Sequence, residues 1–180
     1  MNFVGSALRK KSIDLFLTCL LDGEMKTKTI ALSLGLILAA GALYAADPME
    51  GTWKLNESKS KLTRGTGKNT KVVYDSKRLG RGRWEITTDG VDADGKPAHS
   101  EWKGKFDGKD YEVNGDPNSD MRSYTKVNDQ TLTMTAKKGG KVTTTSRIVV
   151  SADGKSRVVN ANGTTAKGKK FSNTVVYDKE

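Results

Sequence analysis

The 180-residue sequence holds one cysteine, Cys19, and one histidine, His99. A lone thiol ahead of the expected folded region can build neither a disulfide framework nor a cysteine-based metal site. One histidine restricts zinc binding and acid–base chemistry as severely. Also missing are a G-x-S-x-G elbow, a P-loop, a G-x-G-x-x-G turn after a strand, and acidic pairs on one strand face. His99 and Ser100 are consecutive on a predicted strand, so their side chains point to opposite faces. The expectation is a protein with no catalytic residues, no metal and no cofactor.

Apolar residues are scarce as well. From Asp47 onward there are 134 residues, of which 36, or 27%, belong to the hydrophobic set. That is lean for a domain that must offset its chain entropy. The core must be small and regular, or part of the interior must be polar. The same stretch carries 26 basic and 18 acidic residues, a net charge of +8.

The apolar residues that do occur in a run lie before that domain. Residues 25–46, MKTKTIALSLGLILAAGALYAA, have the three parts of a secretory signal: Lys26 and Lys28, an uncharged run from Ile30 to Leu43, then small residues. Met25 is the expected start, and residues 1–24, with Asp14 inside a poorer apolar run, read as an unstructured upstream mis-start. Cleavage after Ala45 or Ala46 would leave residues 47–180 as one domain, periplasmic or secreted, with no membrane insertion afterwards.

Within that domain, period-two alternation prevails and no 3.6-residue stripe competes with it. TKVVYDSK, GRWEITTD, HSEWKGKF, DYEV, MRSYTKV, QTLTMTAK, KVTTTSRIVV, KSRVVNAN and KKFSNTVVYDK carry β-branched or aromatic residues at strand density. With GTWKLN they make about ten strands. The connections are short and rich in turn formers, among them Asp89-Gly90, Asp94-Gly95, Asp107-Gly108, Gly139-Gly140 and Asp153-Gly154. Consecutive strands should be antiparallel neighbours in an up-and-down meander. Closing such a meander into a barrel removes its exposed edges. A barrel of that size encloses more space than its side chains fill, which suits a small ligand. The Thr and Ser residues of VTTTS, 142–146, fit a partly polar lumen.

The stretch GTWKLNES resembles the first strand of the calycin group, in which lipocalins and intracellular fatty-acid-binding proteins share a G-x-W near the barrel start. TVVYDKE is similar to the closing strand of the fatty-acid-binding branch. Residues 48–180 as a whole look like a group of uncharacterised exported bacterial lipocalin-like proteins, through GTWKLN, the DGVDADGKP hairpin, FDGKDY and SADGK. The resemblance implies an all-β lipocalin-like barrel holding a small hydrophobic or amphipathic molecule, with Trp53 closing the barrel base. Two departures stand out. The ligand-carboxylate arginine of the fatty-acid-binding branch falls two residues before Tyr177, where this chain has Val175, and Glu57–Asn69 leaves no room for that branch's two-helix lid. An anion would need another cation, for which Arg147, between Ser146 and Ile148, is the candidate. Trp84, Trp102, Tyr124 and Tyr177, with Met134, are expected to line the cavity.

Three loop features compete with plainer readings. GVDADGKPAHSE half matches a calcium loop, with Asp92, Asp94 and Glu101 at ligand positions, but Gly90 stands at the first one and Pro97 intrudes. A hairpin loop fits it better. In GDPNSD, Asp116, Asn118 and Asp120 could face a hard cation, but Met121 occupies the turn-glycine position, so a Pro-containing turn is preferred. Lys77, Arg78, Arg81 and Arg83 crowd the turn before Trp84, and Lys137, Lys138, Lys141, Lys167, Lys169 and Lys170 mark two other loops. Cations at hairpin tips keep a barrel soluble. The alternative is a cationic surface-binding module for anionic envelope polymers or polysaccharide. Nucleic acid is not an expected partner, and a monomer is expected.

Overall fold

A computed structural model describes residues 47–76, 79–80 and 82–180. The leader reading of 25–46, the segment 1–24 with Cys19, and Lys77, Arg78 and Arg81 lie outside these residues.

The described chain is all β apart from one 3-10 turn, Glu57–Lys59. Ten strands follow in order: β1 (Gly51–Leu55), β2 (Lys68–Asp75), β3 (Trp84–Val91), β4 (Pro97–Gly104), β5 (Tyr111–Asn114), β6 (Met121–Asn128), β7 (Thr131–Lys138), β8 (Lys141–Val150), β9 (Ser156–Thr164) and β10 (Lys170–Lys179). Each pairs antiparallel with its sequence neighbours, and β1 also pairs with β10, Leu55 opposite Tyr177, so the barrel closes. The expected fold, a closed up-and-down meander, is what the chain forms.

Turn chemistry explains why the strands reverse where they do. At the β3–β4 hairpin the Asp92 carboxylate accepts from the N–H groups of Asp94 and Lys96, each at 2.9 Å. The β8–β9 turn repeats the device, with Asp153 accepting from the Lys155 N–H at 3.0 Å. Such Asx turns fix the loop locally. The GVDADGKP stretch is therefore a hairpin whose Asp92 already serves backbone donors. Between β1 and β2 the chain stays along β10, where Lys61 bridges Thr174. This strap is held by the 2.7 Å bond from the Thr63 N–H to Asn173 Oδ1.

Alternation then sorts side chains by face. Trp53 is fully buried and donates from Nε1 to the Met49 carbonyl at 3.0 Å, which closes the base. Above it the interior changes character: Thr88, Ser100, Ser146 and Asn173 are buried among Val72, Ile86, Ile148 and Val175. This mixture accounts for the low apolar count, since an interior partly lined by hydroxyls needs fewer hydrocarbon side chains. Thr88 and Ser100 satisfy each other across β3 and β4 through a 2.6 Å hydroxyl pair.

Candidate functional site

The barrel encloses a cavity of about 430 Å³. Its wall comes from inward positions of β2, β3, β4, β6, β7, β8, β9 and β10, and its outer end from the strap and the loops around Asp92–Asp94, Asp116–Asn118 and Thr164–Lys167. All of these loops lie at the barrel end opposite Trp53, so the cavity opens there.

The expected lining residues divide into three groups. Tyr124, Met134 and Tyr177 do stand on the cavity wall. Trp84 and Trp102 are buried but lie beneath it. They join Phe106 in an aromatic cluster, with ring centroids 4.7 Å apart for Trp84 and Phe106 and 4.6 Å for Trp102 and Tyr124. Trp102 also donates from Nε1 to the Arg122 carbonyl at 3.0 Å. Rings packed this way fill the base and form the support below the cavity. Arg147 is exposed on the outside of β8, because the buried neighbours Ser146, Ile148 and Val150 take the inward parity. The expected anion partner is thus not in the lumen.

Two arginines that the sequence reading passed over face inward. Arg122 of β6 lies among the cavity-lining residues and is only 8% exposed. Its Nη2 pairs with Asp116 Oδ2, and its Nε donates to Ser119 Oγ at 3.3 Å. Asp116 also accepts from the Asn118 N–H at 2.8 Å and the Ser119 hydroxyl at 2.5 Å. Burial by itself would push the Asp116 carboxyl up, but the Arg122 charge and these bonds hold it below the ordinary carboxylate range. GDPNSD is therefore a loop tied down by an internal ion pair.

Arg157 of β9 is buried more deeply, at 2% exposure. Its guanidinium carbon lies 4.9 Å from the Trp53 ring centroid, 4.8 Å from Tyr74 and 4.7 Å from Tyr177. Burial raises the hydroxyl pKa of both tyrosines, with the Arg157 charge acting in the opposite direction. Since Trp53 does not line the cavity and Arg157 does, the guanidinium over Trp53 forms its floor.

Outside the barrel, His99 Nδ1 lies 2.6 Å from Asp89 Oδ1, both exposed, while Ser100 faces inward, as consecutive strand positions require. Among the loop cations, Lys137 pairs with Asp110 at 2.6 Å and Lys167 with Asp94 at 3.5 Å. No group of three or more His, Cys, Asp or Glu side chains able to hold a metal occurs among the described residues.

No protein-family model matches the chain, and no curated protein does. Among solved structures, it is similar to a redesigned β-barrel, mFAP1, bound to DFHBI, with 19% identity and a TM-score of 0.38 over 73% of this chain and 95% of that one. The related redesigned barrel mFAP0, also bound to DFHBI, gives 18% identity and a TM-score of 0.36 over 73% of this chain and 99% of that one. At that distance, what the cavity holds has to be sought in this chain's own residues.

Proposed function

We propose that the protein is an exported, non-catalytic barrel that binds a small hydrophobic or amphipathic molecule in its lumen. The observation that carries this reading is the cavity of about 430 Å³ with a mixed wall. Ligand sites run to ~300–1,000 Å³ and combine apolar walls with a few polar groups that fix orientation. Here Val72, Ile86, Met134 and Ile148 supply the first, and Thr88, Ser146 and Asn173 the second. A cavity serving only as leftover space would cost packing energy with no return.

The neutral dye phenylnaphthylamine, which brightens on leaving water, tests the lumen. It should saturate at about one dye per protein, and Ala161→Phe, which places a ring in the space beside Ser146, should abolish the signal while the protein stays folded. A wild-type protein that leaves the dye dark would defeat the reading. Export rests on residues 25–46 and is tested by N-terminal sequencing of the protein recovered outside the cytoplasm. A mature start at Ala46 or Asp47 supports it, and cytoplasmic protein retaining 25–46 contradicts it.

A further inference from the structure

Resting on that lumen reading, we propose that the cavity selects ligands bearing an anionic group, which Arg157 receives at the cavity floor.

Burying a charge is costly unless it is paired, so buried arginines normally face a carboxylate. This chain follows the rule at Arg122, which it pairs with Asp116 and Ser119. Arg157 breaks the rule. It is more buried than Arg122, and no ion pair to it occurs among the described residues. Its Nε and Nη1 are both buried, with no hydrogen-bond partner among the described residues.

The rings of Trp53, Tyr74 and Tyr177 explain how the charge is tolerated in the unliganded protein. Ring faces attract a desolvated cation by about 2 kcal/mol. They attract it through their π clouds, which are poor substitutes for oxygen acceptors, so the N–H edges keep their bonding capacity. Nε and Nη1 are covered in the unliganded protein, and because Arg157 lines the cavity, a turn of its guanidinium would present them to a ligand oxygen arriving from above. The result is a held, oriented, unneutralised guanidinium at the closed end of a space large enough for a small organic acid. Charge-assisted bonds are about twice as strong as neutral ones, and they strengthen where water is excluded. The remaining wall, apolar on Val72 and Ile148 and hydroxylated on Ser146, suits an acid whose body is largely apolar.

Anilinonaphthalene sulfonate and phenylnaphthylamine share a skeleton and differ by one sulfonate, which makes them a matched pair for this site. On the wild-type protein the sulfonate dye should bind at least tenfold tighter, in line with a contribution of ~1.5–3 kcal/mol for a hydrogen bond to a charged group. Arg157→Gln should bring the two dyes to within about threefold of each other, the ratio being the readout because Arg157 also shapes the cavity floor. Equal affinities on the wild type would overturn the proposal without touching the lumen reading. So would a preference that survives in Arg157→Gln, since it would place the anion on surface lysines. Failure of both dyes to bind the wild type would remove the lumen reading and this one with it. The wild-type comparison stands even if the variant does not fold, and Arg157→Lys, which keeps the charge, should retain a partial preference.

Discussion

Arg157 and Tyr177 are direct partners across the β9–β10 ladder, and the guanidinium carbon sits 4.7 Å from the tyrosine ring centroid. The tyrosine's own hydroxyl donates to the Asn69 carbonyl at 3.2 Å. One side chain thus ties the floor cation to β2, and its ring must stay neutral to do so.

Alkaline titration follows from that requirement. Burial raises the Tyr74 and Tyr177 hydroxyls above their ordinary value of 10.0, so the fold favours the protonated form. Stability from this source is complete below the unfolded value near ~10 and is lost as pH rises beyond it. Tyrosinate absorbance from these two rings should therefore appear together with unfolding, and Tyr74→Phe should soften the alkaline loss. Early, non-cooperative ionisation of both rings would contradict their burial.

Among the carboxyls held below their ordinary value, Asp116 is the most buried and contributes to the acid limb. Its carboxyl lies below the ordinary 3.8, so the pair with Arg122 stabilises the fold above about pH 4 and weakens as pH falls through the lower folded value. Asp116→Asn should cost about 2–3 kcal/mol at neutral pH, less than a fully enclosed pair because the carboxylate is 17% exposed. Urea unfolding at several pH values should show a flatter acid limb in the variant. An unchanged limb would mean that another carboxylate governs it.

At the base, Trp53→Ala removes a fully buried ring and should cost about 3–5 kcal/mol. Trp53→Phe keeps much of the volume but leaves the Met49 carbonyl without its donor, a loss of about 1–2 kcal/mol. Denaturant midpoints should rank wild type above Phe above Ala. Equal midpoints would show that Trp53 is not the plug.

Gly104 is required by the aromatic cluster. A Cβ there would stand 2.5 Å from Trp102 and 2.7 Å from the Tyr111 ring. Gly104→Ala should cost about 1–3 kcal/mol and alter the near-UV dichroism of the tryptophans. An unchanged spectrum would place the rings elsewhere.

Most of the fold was legible because local signals agreed with one another. QTLTMTAK alternates cleanly, and β7 runs Thr131–Lys138 with Leu132 and Ala136 buried. Asp-Gly and Gly-Gly turns then fixed neighbour order. The floor was harder to see. VTTTSRIVV and SRVVNAN both place valines on both faces, so their parity is ambiguous and Arg147 and Arg157 look equally suited to the lumen. One available signal separates them: counting outward from the Ala166–Gly168 turn sets Arg157 opposite the closing-strand Tyr177. The box of Trp53, Tyr74 and Tyr177 comes from β1, β2 and β10, which only barrel closure brings together. Likewise the tryptophans were recognisably interior, but which of them fill the base depends on Phe106, a residue between strands.

Native mass spectrometry of the protein purified from its own host tests the central claim most directly. The account predicts an added mass of one small organic molecule, released on denaturation and carrying an acidic group. Protein that emerges at its bare polypeptide mass, and that also leaves phenylnaphthylamine dark, would contradict it.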